Sequence, residues 1–178
     1  MQYNTRMTLV MGGRRSGKSA FAENLVSKSG SNYCIYIATA PHMPDDHEML
    51  FRIAEHRQRR PSTWRTIEES YDIPKILSEN SDPKAIILID CLSLWVSNLL
   101  LSQYSIEKKT SELLETTVGH PSKIIFVSSE VGLSVVPDNP LSRKYADCLG
   151  ALNQQIAKSS ADVFLVIAGI AHPIKSSK

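Results

Sequence analysis

The sequence predicts an α/β fold, a mainly parallel sheet with helices on both faces. Two observations carry that expectation. Five or six short apolar runs alternate with segments of helical spacing. Strands separated by helices need crossover connections, which a parallel sheet covered on both faces accommodates. A glycine-rich run, GGRRSGKS, stands between the first apolar run and the first helical segment.

The elements follow in order. Met7 to Met11 (MTLVM) is a buried strand candidate. Ala20 to Ser27 has helical spacing, with Phe21, Leu25 and Val26 on one side. Tyr33 to Ala38 (YCIYIA) is a second strand. Asp45 to Arg60 reads as a helix, acidic at its start, basic at its end and stopped by Pro61, an order that suits the helix dipole. Trp64 to Glu68 is a short extended segment, and Ala85 to Asp90 (AIILID) is a buried strand ending in an acid. Leu92 to Leu101 is helical and continues, after a break, into Ile106 to Thr117. Lys123 to Ser128 (KIIFVS) is another strand, Leu141 to Ser159 a long helix, and Asp162 to Ala168 the last strand expected. Residues 29–32, 41–44 and 78–83 are expected as surface loops. Residues 135–140 (VVPDNP) form a turn-rich loop beyond a strand's C-terminal end, where ligands bind in such sheets.

Composition bounds the function. The 178 residues, 42% hydrophobic, suit one domain over 1–178 with a sizeable core. A net charge of +2 is too small to argue for a nucleic-acid groove or a membrane patch. No apolar run approaches the roughly 20 residues that cross a bilayer. The N-terminal apolar stretch runs straight into the glycines, unlike a signal peptide, so the expected location is cytoplasmic. Cys34, Cys91 and Cys148 have no paired spacing, which argues against a disulfide framework or a zinc site. Cys34 and Cys91 sit in or beside strands, where burial is the default.

Gly12, Gly13, Arg14, Arg15, Ser16, Gly17, Lys18 and Ser19 fit the pattern G-x-x-x-x-G-K-[ST], with a strand before and a helix after. The glycines let backbone N–H groups converge on an anion, and the following helix points its positive end at the same place. Lys18 supplies charge for the β- and γ-phosphates and Ser19 a hydroxyl for Mg²⁺. The fold is therefore expected to be P-loop NTPase-like. Such chemistry calls for an acid at the end of a neighbouring strand to hold the metal, directly or through water. Asp90 fills that position; its alternative use is as a cap for the helix that follows.

The segment Glu55-His56-Arg57-Gln58-Arg59-Arg60-Pro61 asks for a second chemistry. Met49, Ile53 and His56 share one helix face, which on periodicity alone makes His56 a packed surface residue. Beside three arginines it gains another reading. A neutral imidazole is a competent nucleophile toward phosphorus, and arginines neutralise charge building on phosphate oxygens. Such a histidine can accept a nucleotidyl group and later release it.

GGRRSGKS, YIATA (36–40), RIAEHRQRRPSTWRTIE (52–68), DCLSLWVSNLL (90–100), SEVGLSVVPDNPLSR (129–143) and NQQIAKSSADVFLVIAGI (153–170) together resemble the adenosylcobinamide kinase / adenosylcobinamide-phosphate guanylyltransferase family. The matches come in order and cover nearly the whole chain. The resemblance implies two reactions. A nucleoside triphosphate, ATP or GTP, phosphorylates the aminopropanol hydroxyl of adenosylcobinamide. GTP then transfers GMP to a histidine, and the cobinamide phosphate takes it to give adenosylcobinamide-GDP. His56 occupies the guanylylated position. Gly12 to Ser19 match the phosphate loop, and Ala38, Thr39 and Ala40 a nucleotide-contacting segment. Arg57, Gln58, Arg59 and Arg60 match the basic segment, and Glu68 and Asp90 acidic positions lining the nucleotide site. The resemblance also implies a homo-oligomer, often a trimer. Departures from the family pattern fall at Ser128-Ser129-Glu130, Ser134, Asp138 and Tyr145-Ala146-Asp147, on the presumed corrinoid side.

The expected roles are these. His56, Lys18 and Asp90 are catalytic, and Ser19 and Asp90 hold Mg²⁺. The loop residues, 38–40, 57–60, Glu68 and Asp90 bind nucleotide. Glu130 and Asn139 are candidates for the substrate side, with turn formation the alternative for Asn139. The competing functions are a P-loop kinase for a small molecule in which His56 is structural, a kinase-only member of the family, and a nucleotide-binding switch. The N-K-x-D motif that reads guanine in switches is missing from the chain.

Overall fold

Seven strands form one sheet in the order β3-β2-β4-β5-β1-β6-β7. The computed structural model describes residues 4–31, 33–41, 45–102 and 104–176, with the side chains of 4, 5, 49 and 52 outside the description. The elements are β1 (Asn4–Gly12), α1 (Lys18–Lys28), β2 (Cys34–Ala38), α2 (His47–Arg59), β3 (Arg65–Glu68), α3 (Ile73–Glu79), β4 (Ile86–Asp90), α4 (Leu92–Leu101), α5 (Ile106–Thr117), β5 (Lys123–Ser129), α6 (Pro140–Ser159), β6 (Ser160–Ile167) and β7 (Ile170–Lys175).

The inner strands are unbroken apolar runs because both faces of the sheet are covered. Leu9, Val10, Ile37, Ile87, Leu88, Ile89, Ile125, Phe126 and Val127 are all inaccessible to solvent. Alternate residues feed two cores. On one face Leu9, Ile37, Ile87, Ile89 and Phe126 pack with Leu77 of α3, Trp95 and Leu99 of α4, Leu113 of α5 and Leu152 and Ile156 of α6. On the other, Val10, Tyr36, Leu88, Val127 and Val166 pack with Ala22 and Val26 of α1. The expected α/β class and the helices on both faces are as the sequence predicted.

Six strands are parallel, so their C-terminal ends lie along one edge. Gly12 is level with Ser129 and Val166, and Ala38 with Glu68 and Asp90. That edge carries the glycine-rich loop and the start of α4.

Two elements correct the sequence reading. The final strand is not β6. A seventh, β7, pairs with it antiparallel. Ala168 and Gly169, with φ of 51° and 81°, form the two-residue turn, the left-handed pair that lets a hairpin follow the strand twist. Part of the loop expected at 78–83 belongs to α3, which begins behind Asp72 with Pro74 in its first turn. A proline near a helix start loses no helical hydrogen bond. Residue 32 of the first expected loop and 42–44 of the second lie outside the described residues. Among the described residues, no helix is long and apolar enough to cross a membrane.

Candidate active site

The glycine-rich loop is shaped by its backbone. Arg15 (φ 58°) and Gly17 (φ 92°) both take left-handed conformations, and Gly17 is the residue from which α1 springs. A Cβ on Gly12 would lie 2.4 Å from Ser16 Oγ and 2.5 Å from the Val166 carbonyl oxygen, so only glycine fits there. The β6–β7 turn braces the loop: the Gly169 N–H donates to the Ser16 carbonyl at 2.8 Å. Ser16 Oγ is buried without a hydrogen-bond partner. Lys18 Nζ reaches back to the Gly13 carbonyl at 3.4 Å.

Two cavities meet at this loop. One, about 340 Å³, is lined among others by Lys18, Ser19, His56, Asp90, Ser93 and Tyr145. The second, about 280 Å³, is lined by 15–20 of the loop with Glu55, His56 and Arg59 of α2. Lys18, Ser19 and His56 belong to both. The imidazole therefore stands against the phosphate loop although some forty residues separate them in sequence.

Asp90 ends β4, and its side chain is only 9% exposed. It does not cap α4, whose N-cap is Cys91 with no side-chain bond. Its Oδ2 accepts from Tyr36 Oη at 2.9 Å. Burial and the adjoining carboxylate push the Tyr36 phenol up, fixing it as the donor. Burial, then Asp90, likewise raises the Cys91 thiol. Thr39 is fully buried. Its hydroxyl bonds both the N–H and the carbonyl of Cys91 at 2.8 Å, so it ties the β2 end to the β4 end, while Ala38 and Ala40 line the larger cavity.

His56 is held near the C-terminus of α2. Arg59 Nη2 lies 3.1 Å from Nδ1; a guanidinium only donates, so Nδ1 accepts. Two carboxylates face the same nitrogen, Asp90 Oδ2 at 3.9 Å and Glu23 Oε1 at 4.0 Å. Arg60 anchors the helix end: Nε donates to the His56 carbonyl at 2.9 Å, Nη1 to Thr66 at 3.0 Å, and its guanidinium lies 3.9 Å from the Tyr36 ring centre. That ring stacks on Trp64.

Other predicted residues lie apart. Arg57 and Glu68 pair with each other at 3.0 Å on the surface, and Arg57, Gln58 and Glu68 line neither cavity. Arg14 lines the larger cavity and pairs with Glu48. Asn139 caps α6, accepting from the N–H groups of Leu141 and Ser142, the turn-forming alternative. Glu130 accepts from the Gly132 N–H at 2.5 Å, closing its own loop.

Several site residues escaped the sequence reading. Glu23 lies in the expected first helix with no role assigned, and Tyr36, Ser93 and Tyr145 stand only within segments compared with the family pattern. In the fold, Ser93 Oγ donates to Ser129 Oγ at 2.9 Å and Tyr145 Oη to the Ser93 carbonyl at 3.3 Å, forming the hydroxyl-rich wall opposite the loop. Burial raises the Tyr145 phenol to about 12.

The donor set suits Mg²⁺. Ser19 and Asp90 offer hard oxygens on one cavity. That ion takes one or two protein ligands and fills its shell with phosphate and water, so it needs no cage; among the described residues no cluster of three or more His, Cys, Asp or Glu forms one.

The model of the family described as cobinamide kinase / cobinamide phosphate guanyltransferase matches residues 8–174. The bifunctional adenosylcobalamin biosynthesis protein CobP of Pseudomonas aeruginosa is 44% identical over 169 residues, covering 94% of this chain and 96% of that protein. The corresponding protein CobU of Escherichia coli is 35% identical over 184 residues, covering 95% and 99%. Among solved structures, a type III secretion ATPase of pathogenic bacteria is similar with a TM-score of 0.59 at 9% identity, covering 94% of this chain and 56% of that one. The flagellar accessory protein FlaH of Methanocaldococcus jannaschii gives 0.52 at 13% identity, covering 96% and 78%. These structural likenesses establish the P-loop NTPase-like fold.

Proposed function

This chain belongs to the cobinamide kinase / cobinamide phosphate guanyltransferase family, and on that premise we propose that its two reactions share the cavity wall formed by Lys18, Ser19 and His56. It is a bifunctional cobinamide kinase and guanylyltransferase of adenosylcobalamin biosynthesis.

In the kinase step the glycine loop and Lys18 hold the triphosphate of ATP or GTP. Ser19 and Asp90 would hold Mg²⁺, whose chemistry would be to offset charge on the phosphate oxygens. The aminopropanol hydroxyl of adenosylcobinamide attacks the γ-phosphorus and gives up its proton to solvent, the bond to the β-bridging oxygen breaks, and the diphosphate leaves. In the transfer step a ring nitrogen of His56 attacks the α-phosphorus of GTP and pyrophosphate leaves. A phosphate oxygen of the cobinamide phosphate then attacks the same phosphorus, the N–P electron pair returns to the ring, and adenosylcobinamide-GDP is released. Arg59 and Arg60 supply charge to the phosphates. The rest of the predicted nucleotide contacts, 38–40, Arg57, Gln58 and Glu68, belong to this reading. So do one P-loop kinase-like domain over 1–178, a homo-oligomer (a trimer is the expected size) and a cytoplasmic location.

The observation that carries the reading is the placement of His56 against the loop, shared by both cavities. Its test is incubation with α-labelled GTP and Mg²⁺, then denaturation. Acid-labile, alkali-stable label on the protein, lost in His56→Ala, is the expected result. No label, or label that survives in His56→Ala, removes the histidine intermediate. Lys18→Ala, which strips one charge from the transition state, is expected to slow phosphate transfer to adenosylcobinamide roughly 10²- to 10³-fold. Full activity in that variant would take the loop out of the mechanism.

A further inference from the structure

Glu23 is a largely buried carboxylate between α1 and α2. It sits on α1, its side chain is 13% exposed, and Oε1 is buried without a hydrogen-bond partner. Burying a carboxylate oxygen unpaired is costly unless another group uses it. Oε1 lies 4.0 Å from His56 Nδ1, and Oε2 lies 4.0 Å from Arg59 Nε.

Asp90 is at the same distance from that nitrogen but is engaged differently. Its Oδ2 already accepts from Tyr36, and it is the acid placed at the metal. Arg59 now donates to Nδ1, which leaves the neutral ring's proton on Nε2 and that nitrogen without a lone pair. A nucleophilic Nε2 requires the opposite tautomer, with Nδ1–H directed at an acceptor. The unpartnered oxygen facing Nδ1 belongs to Glu23.

We propose that Glu23 is the positioning residue for His56, accepting Nδ1–H once Arg59 turns to the nucleotide's phosphates and so freeing the Nε2 lone pair for attack. The proposal rests on His56 being the nucleophile. In the step, Nε2 forms a bond to the α-phosphorus. The bond from that phosphorus to the bridging oxygen breaks, and its electron pair leaves with pyrophosphate. No proton is lost. The ring becomes cationic, with Nδ1–H retained and the Glu23 carboxylate opposite the new charge. When the acceptor phosphate attacks, the N–P pair returns to Nε2 and the ring is neutral again. A carboxylate behind a functional imidazole fixes its tautomer and raises its basicity.

The test is the rate of covalent labelling by α-labelled GTP, in the full-length protein, for wild type, Glu23→Gln and Glu23→Asp. Among the described residues, the charged groups around His56 include Glu23 and Lys18 from α1, Asp90 from β4, Glu55 and Arg59 from α2, and Arg60 just beyond it. Of these acids only Glu23 changes between the proteins. At saturating GTP the Glu23→Gln rate is expected to fall about 10- to 100-fold, with the half-saturating GTP concentration changed less than about threefold, because the loop rather than Glu23 holds the phosphates. Glu23→Asp keeps the charge and is expected to retain part of the rate. A wild-type rate in Glu23→Gln, or a Glu23→Asp rate no better than that of Glu23→Gln, overturns the proposal and leaves the histidine intermediate standing. Absence of label in wild type, or label surviving in His56→Ala, overturns the intermediate itself and the proposal with it.

Discussion

The phosphate loop and helix α2 face each other across one cavity wall, yet they are held by different physics. The loop continues the central strand β1, and its shape lies in the backbone: Gly17 at φ 92°, Gly12 with no room for a Cβ, and the Gly169 N–H bracing Ser16. No described side chain of α2 is buried. That helix is fastened by Arg60 to β2 and β3 and by surface ion pairs, Arg14 with Glu48 and Arg57 with Glu68. Exposed pairs of this kind contribute about 0–1 kcal/mol each. The difference teaches a division of labour. On the proposed function, the triphosphate would be gripped by groups that cannot shift without breaking the sheet edge. The histidine proposed to gain and lose a nucleotidyl group rides on an element whose anchors are side chains.

The strongest way to break that contrast is Gly12→Ala. The new methyl meets the Val166 carbonyl, a backbone atom at the sheet's core, at 2.5 Å. Overpacking of this sort costs roughly 1–3 kcal/mol, a fall in melting temperature of roughly 2–12 °C for a chain of this size. Nucleotide binding is expected to be lost along with it, because the loop cannot distort alone. A variant with wild-type melting and nucleotide affinity would show that the loop is not built on a fixed backbone.

Arg60→Ala is the matching change on the helix. It removes a cation from the Tyr36 face and two hydrogen bonds, to the His56 carbonyl and to Thr66. A stability loss of about 1 kcal/mol, or 2–4 °C, is expected. The comparison predicts a split: labelling of His56 by GTP slows because the helix end is no longer fixed, while affinity for the triphosphate changes less. Equal loss of both would mean that the helix, too, grips the phosphates through its fold.

What could be read from sequence follows the same division. The loop was legible because its pattern is local: eight consecutive residues with fixed glycine, lysine and serine positions, between a strand and a helix. Asp90 was legible because a strand pattern stops on it. His56 came from composition, one imidazole among arginines, since its periodicity alone read as packing. Glu23 was invisible, and Tyr36, Ser93 and Tyr145 entered only within segments compared with the family pattern, because their tasks are defined by neighbours from other elements. An acid on α1 looks solvated until β4 and α2 close around it. Strand β7 was missed because its turn is Ala168-Gly169 rather than one of the usual hairpin pairs, and because Pro173 interrupts the alternation of an edge strand. Helix α3 was missed because seven residues give too few turns for a periodicity to declare itself.

The smallest expected effect is on stability at Glu23, and its sign sharpens the contrast most. Burial raises the Glu23 carboxyl above its ordinary 4.5, with Asp90 adding to the rise and Arg59 and Arg60 opposing it. The folded protein therefore binds this proton more tightly than the unfolded chain, and stability falls as pH rises from 4.5 through the raised value. Above that window the full cost of the buried charge is present; below 4.5 it is absent. Glu23→Gln removes the titration, so it is expected to melt higher than wild type at neutral pH, with the gain shrinking to nothing as pH drops below 4.5. Because the two arginines already offset part of the burial penalty, the gain is smaller than the shifts above. Melting curves of both proteins from pH 4 to 8 decide it, and a difference that stays flat across that range would overturn the linkage. A substitution that steadies the fold while slowing transfer of GMP to His56 would mark the charge as retained for chemistry. It would then be a cost carried at the junction of a rigid cradle and a lightly fastened helix, the place where an ionised group near the imidazole is needed.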